Sequence, residues 1–397
     1  MNFDLSDDQK LFVKTAADFA KRSSPVSRHR RLRDEPRGFE PAVYKEMGEL
    51  GFFGIPFSEA SGGFGGRLID AALVVEKLAT TLTPEPYIPS VLAGRAIERA
   101  GTAAQIERYL APMIAGETVL AVAALEARSR FAPAWVETRA EPTAGGIALT
   151  GEKTWVMAGH GAGAWVVSAR EHGRAGDGDG ISLFIVDSDT PGVTVTPIKT
   201  MDGRGAAMIA FAGTKVDDSA RLGEPGAGVP ILEDLATTGC ALACAEGLGV
   251  IDTALWMTVD YLKTREQFGV KIGTFQALAH RAVDMFVEVE LCRSMSILAS
   301  LAIDELSGDE RKAAVSAAMA QLAMGGRLVV RQAIQLFGGI GITDEADIGL
   351  YFKRLECLTR IFGDEDTHVC RYASLPGFAA TGAEKSARSA HREPTPA

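Results

Sequence analysis

Cysteine is scarce in this chain and carries no pairing pattern: five residues in 397 (Cys240, Cys244, Cys292, Cys357 and Cys370), an odd number without C-x-x-C spacing. That argues against a secreted disulfide framework and for a reducing compartment, with the cytoplasm as the expected address. Cys240 and Cys244 stand one helical turn apart. No His or further Cys lies near them in sequence to complete a tetrahedral set, so no metal is expected and both read as small core residues. Massed positive charge is also lacking, since the formal net charge is -10. Phosphate-backbone affinity rests on clustered Lys and Arg, which excludes nucleic acid as a partner. One basic run remains, RHRRLR at residues 28–33, expected as a solvated loop or subunit contact. No uninterrupted apolar run reaches about 18 residues, so no membrane span is expected. The opening MNFDLSDDQKLFVKTAADFA places acids before an amphipathic helical pattern, unlike a signal or transit peptide.

What is present is a chain long enough, at 47% hydrophobic residues, for two or three layers of packed core. Its apolar period changes twice. Over residues 1–123 apolar side chains recur at three and four (Phe12, Ala16, Phe19, Ala20; Ala71, Leu73, Val74, Leu78), the pattern of amphipathic helices. Over 124–226 the period shortens to two or to brief runs, as in GIALTGEK, AWVVSAR, ISLFIVD and GVTVTPI, separated by Gly, Pro and Asp turns. Over 227–380 it returns to long helices with few breakers, roughly 230–264, 275–306, 309–337 and a shorter one after Thr343, enough for a bundle. The polar, proline-containing stretch 381–397 reads as a disordered tail. The expected class is α+β: an N-terminal α-helical domain, a middle β-barrel or sandwich domain and a C-terminal four-helix bundle.

Two segments carry the chemistry. YLKTREQFGVKIGTFQ, residues 261–276, sets Arg265, Gln267 and Phe268 just before a glycine at the end of a long apolar helix. A fixed guanidinium suits a diphosphate and an exposed ring suits an attached base. QLFGGIG, residues 335–341, supplies glycines whose backbone N–H groups can approach a phosphate or sugar without an intervening Cβ. A helix-ending Arg is ordinarily a cap, and Gly-Gly-x-Gly ordinarily a turn. In this order and spacing the pair resembles the flavin-adenine segments of the acyl-CoA dehydrogenase family, a likeness that extends from LSDDQKLF through HVCR.

The resemblance implies non-covalent FAD and an acyl-CoA thioester substrate oxidised to a 2,3-enoyl-CoA. Electrons would leave to an electron-transferring flavoprotein. It places Trp155 against the isoalloxazine ring, with the backbone of Ala124 and Leu125 at the pyrimidine edge. Met157 stands where the family usually has a Thr, leaving only its backbone N–H. Arg265, Gln267, Phe268, Gln276, Gln335, Gly338 and Gly339 would grip the ADP half of a flavin held mainly by a neighbouring subunit. That makes oligomerisation a requirement, as a homomeric dimer of dimers or a heteromeric α2β2 assembly.

The base is where the chain departs from the family. The usual Y-E-G-T run is replaced by RIFGDEDTH at 360–368, with Gly363 at the Glu position and Asp364 following. The family's alternative position on the long helix is Gly239. Two turns further along the same face stands Glu246, the only charge between Asp234 and Asp252. An acid in so apolar a stretch has either a hidden cationic partner or a function. Glu246 and Asp364 are therefore the two candidate bases, with a helix cap as the plain alternative for Asp364. Small residues along the 239–249 face are expected to leave room for a wide or branched acyl group. Rival readings are one subunit of a heteromeric acyl-CoA dehydrogenase, a flavin-dependent oxidase or monooxygenase on the same scaffold, and a helical interaction protein without a cofactor.

Overall fold

The computed structural model describes residues 4–376, so the expected tail lies outside the described residues. Helix α1 (Asp7–Ser23) starts at a capping box, Ser6 accepting from the Gln9 backbone while the Gln9 side chain accepts from that of Ser6. Its buried stripe, Ala16, Phe19 and Ala20, is the one the sequence period indicates. Phe19 meets Phe52 edge to face, and Phe53 stacks on Tyr87. These rings gather α1, α3 (Pro41–Glu49), α4 (Leu68–Ala79) and α5 (Tyr87–Ala100) around one core. The short pieces α6 (Ala103–Gln105) and α7 (Ala111–Ile114), joined through a π turn, lead to the sheet.

The basic run corrects its expectation. It forms helix α2 (Val26–Leu32), and Arg28 and His29 are buried. Arg28 donates to Glu85 and Glu40, while Arg30 and Arg33 pair with Asp344 and Asp347 far along the chain. These positive charges tie the first domain to itself and to the last.

The middle region is an eight-stranded sheet in the order β6-β7-β3-β2-β4-β5-β8, with β1 parallel to β4. Its strands are β1 (Leu120–Ala123), β2 (Arg139–Thr143), β3 (Gly146–Met157), β4 (Ala164–Arg170), β5 (Ile181–Asp187), β6 (Val193–Lys199), β7 (Gly205–Val216) and β8 (Arg221–Leu222). β4 and β5 are buried nearly throughout, as their continuous apolar runs require.

The C-terminal region is led by α8 (Gly228–Thr264), followed by the small β9–β10 hairpin (Glu266–Gln267, Val270–Lys271), α9 (Gln276–Glu305) and α10 (Gly308–Gln321). A π turn at Leu322–Gly326 interrupts the expected third helix before α11 (Arg327–Phe337), and α12 (Ile348–Ile361) and α13 (Glu365–Ala373) close the bundle. Two of these helical runs are apolar enough to match a membrane span by composition, yet 78% and 61% of those windows are buried inside the protein.

The glycines of α8 correct a second expectation. A Cβ at Gly249 would lie 2.2 Å from the Glu76 carbonyl oxygen of α4, one at Gly247 2.6 Å from Leu322, and one at Gly239 2.5 Å from the Phe362 ring. The small face of α8 is spent on close helix packing, not on space for an acyl group. Arg67, without an evident role in the sequence, joins α4 to the end of α9 through Asp304 and Glu305.

Candidate active site

A cavity of about 1190 Å³ opens where the three regions meet. The sheet contributes Ala124, Leu125, Trp155 and Met157 to its wall, the first helical domain Leu78, Ile88 and Leu92, and the bundle Leu235, Phe352 and Phe362. It exceeds the roughly 300–1,000 Å³ usual for one drug-sized ligand, so two ligand parts fit side by side.

Trp155 owes its place to backbone conformation. The pairing of β3 with β7 slips between Lys153 and Val156, and Trp155 takes φ +50°. A left-handed residue at a bulge turns its side chain out of the ladder. The indole is 55% exposed and faces the cavity. Thr154 N–H donates to the Leu125 carbonyl at 2.9 Å, fastening the Trp155 segment beside Ala124 and Leu125.

Glu126 stabilises that junction from below. Its carboxylate accepts from the backbone N–H groups of Glu137 and Thr138, from the Thr138 hydroxyl and from Lys153 Nζ at 2.6 Å. Burial pushes the Glu126 pKa up, but the Lys153 charge and these bonds outweigh it and the net shift is down. Lys153, fully buried, is pulled down to about 8 by desolvation against the opposing pull of Glu126. The sequence reading missed Lys153, whose signal was a lysine within an alternating strand.

Arg265, Gln267, Phe268, Gln276, Gln335, Gly338 and Gly339 form a separate group. Tyr261 near the end of α8 stacks on Phe337 at the end of α11 with ring centroids 4.4 Å apart, which brings the two sequence segments to one end of the bundle. Arg265 caps α8, Phe268 is held at φ +56° and is 91% exposed, and a Cβ at Gly338 or Gly339 would touch nothing within 4 Å. None of the seven lines the cavity. The two groups of residues therefore lie on different surfaces of the chain. An open glycine cradle beside a guanidinium and a bare ring fits a diphosphate with a base, and an outturned indole beside free space fits a flat ring.

Glu246 is corrected from candidate base to buried ion-pair partner. Arg354 grips it bidentately, Nε to Oε1 at 2.8 Å and Nη2 to Oε2 at 2.7 Å, and Arg204 Nη2 donates to Oε1 at 2.9 Å. Arg354 Nη1 also donates to Asp202 at 2.7 Å. Burial raises the Glu246 pKa, but the charges of Arg354 and Arg204 outweigh it and hold the carboxylate below its ordinary value. Both of its oxygens are bound by guanidinium N–H groups, which leaves neither free to take a proton from a substrate. The hidden cationic partner allowed by the sequence is thus present twice, from positions 42 and 108 residues away.

Asp364 is the N-cap of α13, its Oδ1 accepting from the backbone N–H and hydroxyl of Thr367. Those bonds lower its pKa, with a smaller contribution from Arg130. It follows directly on Phe362 and Gly363, and Phe362 lines the cavity. At Gly363, φ is +129° and a Cβ would meet His368 Nε2 at 2.6 Å. The position that holds Glu in the resemblance is strained for an L side chain here. Among the described residues no group of acids, histidines and cysteines suits a metal ion.

Family models described as the acyl-CoA dehydrogenase N-terminal, middle and C-terminal domains match residues 6–117, 121–214 and 226–373. A probable acyl-CoA dehydrogenase, YngJ, from Bacillus subtilis is 32% identical over 87% of this chain and 91% of its own length. The caffeyl-CoA reductase-Etf complex subunit CarC from Acetobacterium woodii is 27% identical over 89% of this chain and 94% of its own. Among solved structures, butyryl-CoA dehydrogenase from Megasphaera elsdenii superposes with a TM-score of 0.87 at 25% identity, covering 96% of this chain and 100% of that one.

Proposed function

The chain belongs to the acyl-CoA dehydrogenase family of FAD-dependent oxidoreductases, and from that premise we propose that it converts an acyl-CoA thioester with a bulky acyl group to its 2,3-enoyl-CoA. The observation that supports this reading is the separation of the residues the family resemblance assigns to FAD into two groups, one at the cavity and one at the exposed bundle end. FAD, when bound, supplies the acceptor for the hydride leaving the β carbon. Trp155 gives that ring a flat wall, and the backbone of Ala124 and Leu125 orients its polar edge. Arg265 and the glycines at 338 and 339 of a second chain would hold the diphosphate. The apolar side chains of α4, α5 and α8 exclude water from the acyl group.

The α proton falls in this reading to Asp364. It lies two residues after Phe362, which lines the cavity, and only its Oδ1 is engaged, by Thr367. The reduced cofactor would pass its electrons to an electron-transferring flavoprotein, a partner class supported by the name of the CarC relative. A second reading is favoured by one feature: glycine occupies both family base positions, and Phe362 fills the space beside Gly239. In that reading the chain pairs with a second, carboxylate-bearing subunit in an α2β2 assembly.

Expression alone separates the two. A yellow oligomer with stoichiometric FAD, bleached by substrate and slowed about 100-fold or more by Asp364→Asn, supports the homomer. A colourless chain that turns yellow only when a second subunit is co-expressed supports the heteromer. Retention of FAD by Arg265→Ala at the wild-type level would rule out the half-site assignment on which both rest.

A further inference from the structure

The sheet divides at the cavity wall. β1 pairs with β4 from Leu120 to Ala123, while β2 pairs with β3 as far as Thr150 and with β4 at Arg139↔Arg170. Past those pairs the chain leaving β1 crosses to β3, where Thr154 N–H donates to the Leu125 carbonyl. Lys153 stands at that crossing. Its Nζ donates to Glu126 Oε1 at 2.6 Å and, over on β4, to Ser168 Oγ at 2.9 Å. One ammonium thus ties β3, β4 and the segment after β1.

The same lysine marks the end of the regular part of β3. Between the pairs Lys153↔Ile209 and Val156↔Ala207, β3 carries one residue more than β7, and the excess puts Trp155 at φ +50° with its indole in the cavity wall. A shift of register by one residue would turn each side chain it passes to the other face. Lys153 opposes such a shift. Its side chain is fully buried with Glu126 as counter-charge, and any register that parts the two leaves a buried charge alone. A well-packed apolar pair would stabilise the sheet as well or better, so stability by itself does not account for a lysine here.

We infer that Lys153 is a positioning residue for the flavin: by holding Glu126 and Ser168 it sets the bulge that turns Trp155 outward and the crossing that brings Ala124 and Leu125 beside it. This rests on the reading of that cavity wall as the flavin site. Lys153 does not itself line the cavity, so it acts through the residues that do.

The test uses the protein with any subunit that accompanies it, stripped of FAD and reloaded by titration. Dissociation constants are read from flavin fluorescence, the setting of the ring from the visible circular dichroism of bound flavin, and folding from the melting temperature of the flavin-free protein. Lys153→Met is expected to raise the FAD dissociation constant about 10-fold or more, the worth of a hydrogen bond to a charged group, and to alter the dichroism. Because it strands the Glu126 carboxylate, Lys153→Met is also combined with Glu126→Gln, which should regain melting temperature but not affinity. Combined instead with Trp155→Ala, its loss of affinity should fall short of the product of the single losses by about 3-fold or more, since independent sites combine to within about 2-fold. Wild-type affinity and dichroism in Lys153→Met overturn the inference. So does a Lys153→Met, Glu126→Gln protein that fails to fold, or that regains affinity and melting temperature together, because the pair then serves stability alone. Losses that multiply with Trp155→Ala overturn it too, by parting Lys153 from the indole. If the wild-type protein takes up no FAD, or Trp155→Ala leaves its affinity unchanged, the reading of the cavity wall fails and this inference with it.

Discussion

Replacing Glu246 with glutamine separates a structural carboxylate from a catalytic one. In the wild-type protein Glu246 takes three hydrogen bonds from two arginines, the buried Arg354 and the partly buried Arg204, and Arg354 extends the set to Asp202. Glutamine keeps the volume but leaves two cations facing one anion. Removing one partner of a buried pair costs about 3–5 kcal/mol. In a chain of this length that corresponds to a fall in the unfolding temperature of roughly 4–6 °C. Adding Arg204→Met restores the charge balance around Arg354, so the double variant should recover about 1 kcal/mol or more of that loss. The assays are differential scanning calorimetry of the flavin-loaded protein and rapid-mixing measurement of flavin bleaching. A Glu246→Gln protein that melts within 1 °C of wild type yet bleaches about 100-fold more slowly would refute the ion-pair reading and return Glu246 to the role of base.

The other expectations concern the vacated base position and acid stability. Gly239→Glu alone should be poorly folded, because its Cβ would lie 2.5 Å from the Phe362 ring, and adding Phe362→Ala should recover soluble protein, as read by expression yield and melting temperature. His29 and His368 are buried, and burial pulls both down to about 4. Between pH 6.5 and 4 the unfolded chain therefore binds protons that the folded chain does not, so stability falls as pH drops through that window, by up to about 3 kcal/mol per histidine. Urea midpoints at pH 7 and pH 4.5 should differ less in His29→Gln and His368→Gln, and an unchanged difference in both variants would contradict the assignment.

Much of the architecture is legible in the chain because hydrophobic period is a local property. The stripe of α1, the buried runs of β4 and β5 and the length of α8 are set by neighbours within a few residues. β7 escapes that reading, since its alanines and glycine blur the alternation, although it pairs along both β3 and β6. The site is less legible wherever partners are distant. Glu246 shows in sequence only that something must compensate it, and Arg354 lies 108 residues on. Arg204 sits in MDGRG, which reads as a plain turn until the sheet brings it to α8. The arginines of α2 look solvated because their acids, Glu85 and Asp344, are far away in the chain. Gly239 and Phe362 have no visible relation until α12 returns to α8.

The separation of Trp155 from Arg265 onto different faces has a genetic corollary. If the coenzyme spans two protomers as proposed, a hybrid of one Trp155→Ala chain and one Arg265→Ala chain contains one doubly damaged pocket and one that is wholly intact. Two inactive alleles, co-expressed, should then complement each other and regain a fraction of the wild-type colour. Dilution, by parting the protomers, should bleach the preparation without any covalent change.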